Sequence, residues 1–156
     1  MAIEKARKHL EKYGLSDRIR EFNVSSATVA LAAEALGTAE ERIAKSLSFD
    51  LSGEAILVIA AGDRRIDNHK FKEEFKTKAK MLPFDEVEAK IGHAVGGVCP
   101  FGINEGVRVY LDSSLKEFET VFPACGSSNS AIELSIEELE KAAETNIWID
   151  VCKKAE

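Results

Sequence analysis

The chain is poor in the residues that build metal centres, disulfide frameworks and membrane spans. It carries three cysteines and three histidines among 156 residues. Cys99, Cys125 and Cys152 are odd in number, far apart and form no C-x-x-C pair. Neither a disulfide scaffold nor a zinc site is expected from them, and a reducing compartment suits them. His9, His69 and His93 are equally scattered, with no carboxylate cluster at ligand spacing, so no metal and no cofactor is expected. No apolar run approaches the ~18 residues of a transmembrane helix. The segment from Met1 to Lys8 is charged and reads as an amphipathic helix, not a signal peptide. The expectation is a soluble, cytoplasmic protein without a membrane partner. A G-x-S-x-G elbow is also missing, which argues against a hydrolase triad.

What is present suits one domain, 1–156. A chain of this size buries about 68–70% of its unfolded surface, and 45% apolar residues supply a core. The net charge of −6 is unfavourable for a polyanion partner, because such binding runs on Lys and Arg. The charge is uneven, however. Arg64, Arg65, Lys70, Lys72, Lys76, Lys78 and Lys80 fall close together, whereas Glu133, Glu137, Glu138, Glu140 and Glu144 make the C-terminal third acidic. A basic face with an acidic back fits a protein that touches only the end of an RNA. It does not fit one that coats a duplex, and no DNA partner is expected. A solvated helix face is the plainer meaning of the same lysines.

Periodicity predicts a helix over Ala2–Tyr13 stopped by Gly14, a short strand over Ile19–Phe22, and a helix capped by Ser25 or Ser26 that ends before Gly37. Thr38 to Glu41 has capping-box spacing. Strands over Ala44–Leu51 and Ala55–Ala61 flank Ser52-Gly53-Glu54 as a hairpin. Helices are expected over Lys70–Lys80 and Asp85–Ile91, the second opened by Asp85 and Glu88. Strands follow over Val107–Leu111, Thr120–Ala124 and Ala131–Leu134. A helix capped by Ser135 then runs through Glu144, and a closing strand over Asn146–Val151. Strands and helices intermix without βαβ alternation, so the fold class is a mixed α/β or α+β domain.

Two segments carry the chemistry. The first runs from Gly92 to Gly102 (Gly-His-Ala-Val-Gly-Gly-Val-Cys-Pro-Phe-Gly). Its glycines allow close approach of a ligand to the main chain, and its N–H groups can face an oxygen-rich ligand. It has neither the Lys-Ser/Thr ending of a Walker loop nor the G-x-G-x-x-G register; standing alone, it reads first as a tight structural turn between two elements. The second segment, Ile43-Ala44-Lys45-Ser46-Leu47-Ser48-Phe49, puts a lysine at the head of an apolar strand. There its charge acts more strongly than in water, or else the side chain snorkels at a strand end. Cys99 with His93 would make a thiol nucleophile and base, against which stands the commonness of buried, inert cysteine.

Ala44-Lys45-Ser46, Ala61-Gly62-Asp63, the Gly96-to-Gly102 loop and Cys125-Gly126-Ser127 occur in an order that resembles the YbaK/ProX family of aminoacyl-tRNA editing deacylases, which also occurs as the inserted editing domain of bacterial prolyl-tRNA synthetases. The resemblance spans about Ser26 to Ile149. It implies a single, curved, barrel-like mixed β-sheet ringed by helices. It implies a trans-editing hydrolase that deacylates mischarged tRNA, with proline tRNA carrying alanine, cysteine or serine as the expected substrate.

On the same resemblance the essential lysine falls at Lys45 and the family's G-x-x-x-P motif at Gly96 and Pro100. Gly96, Gly97 and Pro100 join Lys45 as catalytic candidates. Ser46, Val98, Cys99, Phe101 and Gly102, with the Gly126-Ser127 turn, are substrate-binding candidates. His93 either contacts the ligand, serves as a base or braces the loop, and Asp63 either contacts ligand or caps its turn. Relatives acting on cysteinyl-tRNA carry Arg-Gly and an acid soon after the Gly126 position. Here Ser127-Ser128-Asn129-Ser130-Ala131 follows, which weighs against cysteine. The implied partner is the tRNA acceptor end, with a synthetase as a further candidate. A non-catalytic tRNA-end or nucleotide-binding module of the same fold is the alternative.

Overall fold

The computed structural model describes residues 2–155; Met1 and Glu156, at the ends of the expected 1–156 domain, lie outside the described residues. The hairpin is its centre. Strand β2 (Ile43–Leu51) pairs antiparallel with β3 (Glu54–Ala61) from Ala44↔Ala61 to Leu51↔Glu54. Ser52 and Gly53 both take positive φ, 53° and 94°, the two-residue turn whose twist matches the flanking strands. Beyond Glu54, strand β3 is apolar because both of its faces are buried. Leu57, Ile59 and Ala61 join the larger core, while Ile56, Val58 and Ala60 join a second cluster with Phe49 and Phe71.

Around the hairpin lie β5 (Arg108–Asp112), β6 (Thr120–Pro123), β8 (Leu134–Ser135) and β9 (Trp148–Ile149), giving a curled six-stranded mixed sheet in the order β8-β6-β2-β3-β5-β9. The short strands β1 (Arg20–Glu21) and β7 (Ser130–Ala131) pair with each other, as do β4 (Arg64–Ile66) and β10 (Cys152–Lys154). Helices α1 (Ala2–Glu11), α4 (Phe84–Ile91) and α5 (Ile136–Ala142) bury Leu10, Ile91 and Leu139 in the larger core. Helix α3 (Asn68–Phe75) covers the opposite face through Phe71, and α2 (Val29–Leu36) packs with Ile43 and Phe122. Among the described residues no helix is long and apolar enough to cross a membrane.

Several expected boundaries move. Helix α2 is capped by Thr28, whose hydroxyl accepts from the Leu31 N–H at 3.2 Å, not by Ser25 or Ser26. The Ser26 N–H instead donates to the Ser128 carbonyl at 2.6 Å, which holds the chain extended there. Thr38 to Glu41 makes no capping box: a 3-10 turn at Glu40–Arg42 starts after Ala39 without a side-chain cap. Helix α4 opens after Pro83, likewise without one.

The helix expected over Lys70–Lys80 ends at Phe75. Lys76 takes φ 62°, and Thr77-Lys78-Ala79-Lys80 beyond it is not helical. It alternates exposed lysines with the half-buried Thr77 and Ala79, a strand period that a count of charges conceals. Its end lies along β2: the Asp50 N–H donates to the Lys80 carbonyl at 2.8 Å, and the Leu82 N–H to Ser48 at 3.1 Å.

The single strand expected over Ala131–Leu134 divides between β7 and β8, and the closing strand over Asn146–Val151 divides between β9 and β10. Ser135 does cap α5, in a reciprocal capping box with Glu138, but the helix stops at Ala142, two residues before Glu144 at φ 55°. Much of the acidic C-terminal third forms exposed pairs: Glu133 with Arg42, Glu138 with Arg18, Glu144 with Lys12.

Candidate functional site

The sheet leaves a gap beside β2. Its parallel pairing with β6 covers only Ile43↔Phe122 and Ala44↔Pro123. On that edge the next backbone partner among the described residues comes at Ser48, bonded by Leu82. Backbone groups alternate in direction along a strand, so Ser46 shares the edge used by Ser48 and Asp50. Into this gap opens a cavity of about 370 Å³, a volume typical of small-ligand sites. Lys45 and Ser46 line it from β2, Gly96 and Val98 from the glycine loop, and Thr28, Phe84 and Ala131 from further segments.

Lys45 sits at the head of the unpaired edge. Its ammonium donates to the carbonyl of Gly62 at 3.4 Å and to that of Arg64. Burial pushes its pKa below the ordinary lysine value, with Cys152 and the Asp63 carboxylate opposing in part. A cation held by two neutral carbonyls, with no ion pair among the described residues, retains charge that can act on a developing anion. The turn holding those carbonyls is fixed by close packing: a Cβ on Gly62 would lie 2.1 Å from the Glu40 carbonyl oxygen. The Asp63 carboxylate pairs with Arg64 at 3.2 Å. Beside Lys45, the Ser46 Oγ is buried without a hydrogen-bond partner among the described residues. An orphaned hydroxyl on a cavity wall is a poised contact for a polar ligand.

The glycine loop divides into two halves. Gly96, at φ 99°, and Val98 line the cavity. Gly97 faces another way: a Cβ there would lie 2.7 Å from both Gly126 C and Ser127 N, so its smallness serves main-chain packing against the Gly126-Ser127 turn. Its N–H donates to the Ala94 carbonyl at 3.0 Å and is already committed. Cys99 and Phe101 are fully buried core residues. Pro100 borders a separate depression with His9 and Ile103. Gly102, at φ 68°, lets the loop meet α1, where a Cβ would lie 2.6 Å from the Lys5 carbonyl oxygen.

His93 is fully buried behind the loop, its Nε2 at 2.6 Å from the Phe101 carbonyl. A carbonyl only accepts, so Nε2 carries the proton, and burial holds the ring's pKa below the usual imidazole value. The Cys99 thiol lies 3.5 Å from Nε2 and 3.6 Å from the same carbonyl. Burial pushes its pKa up to about 12, so the thiol stays protonated. Together His93 and Cys99 form a brace across the loop.

The Ser127 hydroxyl is engaged with Ser130 at 2.6 Å and with Asn129 at 2.9 Å. The neighbouring Ser128 carbonyl accepts from Ser26, which tethers the Ser26–Thr28 wall of the cavity to this turn. Gly126 and Ser127 thus act behind the wall, not in it. Sequence reasoning missed Ser26, Thr28, Met81, Phe84 and Val95 as lining residues. The one signal available was the exposed-looking apolar pair Met81 and Phe84 flanking Leu82-Pro83 after a basic run.

This architecture is shared. Residues 24–142 match the profile of the aminoacyl-tRNA editing domain. The YwhH protein of Bacillus subtilis (strain 168), whose name assigns no activity, is 51% identical over 154 residues, covering 98% of each chain. A protein of Enterococcus faecalis (strain ATCC 700802 / V583), EbsC, provisionally named a Cys-tRNA(Pro)/Cys-tRNA(Cys) deacylase, is 29% identical over 110 residues, 69% of this chain and 66% of its own length. A solved structure provisionally described as a trans-editing enzyme for prolyl tRNA synthetase superposes with a TM-score of 0.87 at 27% identity, covering 97% of both chains. With its profile match spanning most of its length, the chain belongs to the aminoacyl-tRNA editing domain family.

Proposed function

We propose that the protein is a trans-acting deacylase that hydrolyses the ester joining a small, wrongly attached amino acid to the 3′ end of a tRNA, with proline tRNA as the expected carrier. The observation that carries this reading is one cavity lined together by Lys45, by Ser46, whose hydroxyl has no partner among the described residues, and by Gly96 and Val98 of the glycine loop. The names of EbsC and of the superposed structure support the substrate class.

The reaction asks little of the protein. Water attacks the ester carbonyl and gives up a proton to solvent, and the carbonyl oxygen gathers negative charge. As that intermediate collapses, the bond from the acyl carbon to the ribose oxygen breaks. The ribose oxygen takes a proton from solvent directly or through its neighbouring hydroxyl, which is reprotonated in turn. Lys45 neutralises the oxyanion, and Ser46, Gly96 and Val98 position the ester. Positioning and electrostatics together suffice for such an activated ester. Discrimination rests on cavity size, worth only ~1–3 kcal/mol per methylene. A synthetase partner would add to it.

The test is release of amino acid from alanyl-, seryl- and cysteinyl-tRNA for proline, with prolyl-tRNA as control, by wild type and Lys45→Ala. Selective release lost in the variant supports editing. Tight binding of the same tRNAs with no release would identify a binding module instead.

A further inference from the structure

Phe84 is the outlier among eight phenylalanines. The other seven are buried or half-buried, whereas Phe84 is 77% exposed at the cavity's mouth, with Met81 beside it at 58%. Leading to them is the non-helical stretch from Lys76 to Lys80. Thr77 and Ala79 are half-buried while Lys76, Lys78 and Lys80 are exposed, the last two spaced ~6.6 Å apart at strand rise. From Lys76 to Phe84 there are three lysines and no acid, in a protein of net charge −6. Among the described residues Lys76 and Lys78 form no ion pair, and Lys80 reaches Asp50 only at 3.6 Å. The acids on either side are Glu73, Glu74 and Asp85, with Glu86 paired to Lys90.

We infer that this strip is the docking track for the single-stranded 3′ tail of the RNA: Lys76, Lys78 and Lys80 follow its phosphates, and Phe84 with Met81 stacks a base as the terminal ester enters the cavity. The inference rests on the deacylase reading for the identity of its occupant. Its chemistry is that of single-strand binding sites, a lysine-lined path with an aromatic platform. The exposed ring has no packing role to explain it, and a lysine row of one sign beside it selects a polyanion over an apolar protein partner.

The test uses an uncharged acceptor-stem hairpin with its single-stranded 3′ tail, and the same hairpin trimmed blunt, titrated by fluorescence anisotropy across a salt series. Binding should require the tail. Replacing Lys76, Lys78 and Lys80 together by serine should weaken it about tenfold and flatten the slope of log affinity against log salt by about 2, near 0.7 per lost phosphate contact. Phe84→Ala should weaken it about tenfold with the slope unchanged, and Phe84→Trp should restore it. Thermal melts establish that each variant is folded. Tail-independent binding, or an unaltered slope in the lysine variant, overturns the track. Wild type that binds the tail in this manner but releases no amino acid from any charged tRNA upholds the track and removes the deacylase reading.

Discussion

Lys45 reaches across the hairpin to the carbonyl of Gly62, 3.4 Å from its ammonium. This contact, with the one to Arg64, fixes where the positive charge stands before any ligand arrives. Lys45→Ala should reduce tRNA deacylation by at least ~100-fold, the scale of losing one oxyanion-stabilising group. Lys45→Arg should fail as well, because the planar guanidinium cannot occupy the same fork of carbonyls. Single-turnover hydrolysis of charged tRNA measures both.

The pH dependence follows in sign from burial. Burial disfavours the ammonium, so its folded-state pKa lies below the ordinary value of 10.5. The cationic fraction therefore declines at lower pH than for a free lysine. Enzymatic hydrolysis, corrected for the spontaneous rate, should fall on the alkaline side with a midpoint below 10.5. An activity still rising through that range would mean that the neutral amine is the working form.

Ser46→Ala separates stability from binding. A buried hydroxyl without a partner carries a penalty of about 1–3 kcal/mol, so its removal should leave the melting temperature unchanged or raised. The KM for charged tRNA should rise by about tenfold if the hydroxyl bonds the ligand. Melting curves and steady-state kinetics on one preparation decide between a ligand contact and an idle side chain.

Gly97→Ala tests packing without the complication of a left-handed backbone. The new methyl would stand 2.7 Å from the main chain at Gly126 and Ser127, and such overpacking costs about 1–3 kcal/mol. Urea denaturation should show that loss, with hydrolysis reduced because Gly96 and Val98 move with the loop.

Thiol chemistry gives an independent check on the brace. With Cys99 buried and its pKa near 12, iodoacetamide at pH 8 should modify the native protein far more slowly than the unfolded chain. Rapid inactivation at Cys99 would revive the nucleophile reading.

The sequence made the hairpin legible because an apolar run on either side of Ser52-Gly53 has few other solutions. It also drew attention to Lys45, a lysine leading an apolar strand, whereas Ser46 came into view only through the family resemblance. The cap of α2 was harder: Ser25, Ser26 and Thr28 offer three hydroxyls in four positions, and the choice falls to Thr28 only because Ser26 is held by the distant Ser128 carbonyl. The lysine stretch misled because charge spaced at two residues resembles the outer face of a continuing helix. In the glycine loop, chemistry and packing use the same residue type. Nothing local distinguishes Gly96, which lines the cavity, from Gly97, which accommodates another loop's backbone. Phe84 and Met81 carry no polar signature, and the apolar pair after a basic run is too weak a signal to place them at the cavity mouth without the fold.

The gap between β2 and β6 has an evolutionary corollary. Part of the cavity wall there is peptide group, not side chain, and peptide groups do not mutate. The reactive frame is thus insulated from sequence drift, while Ala27, Val95 and Phe84 at the margin are free to vary in bulk. A scaffold so divided can change which amino acid it admits through one or two marginal substitutions and keep its chemistry intact.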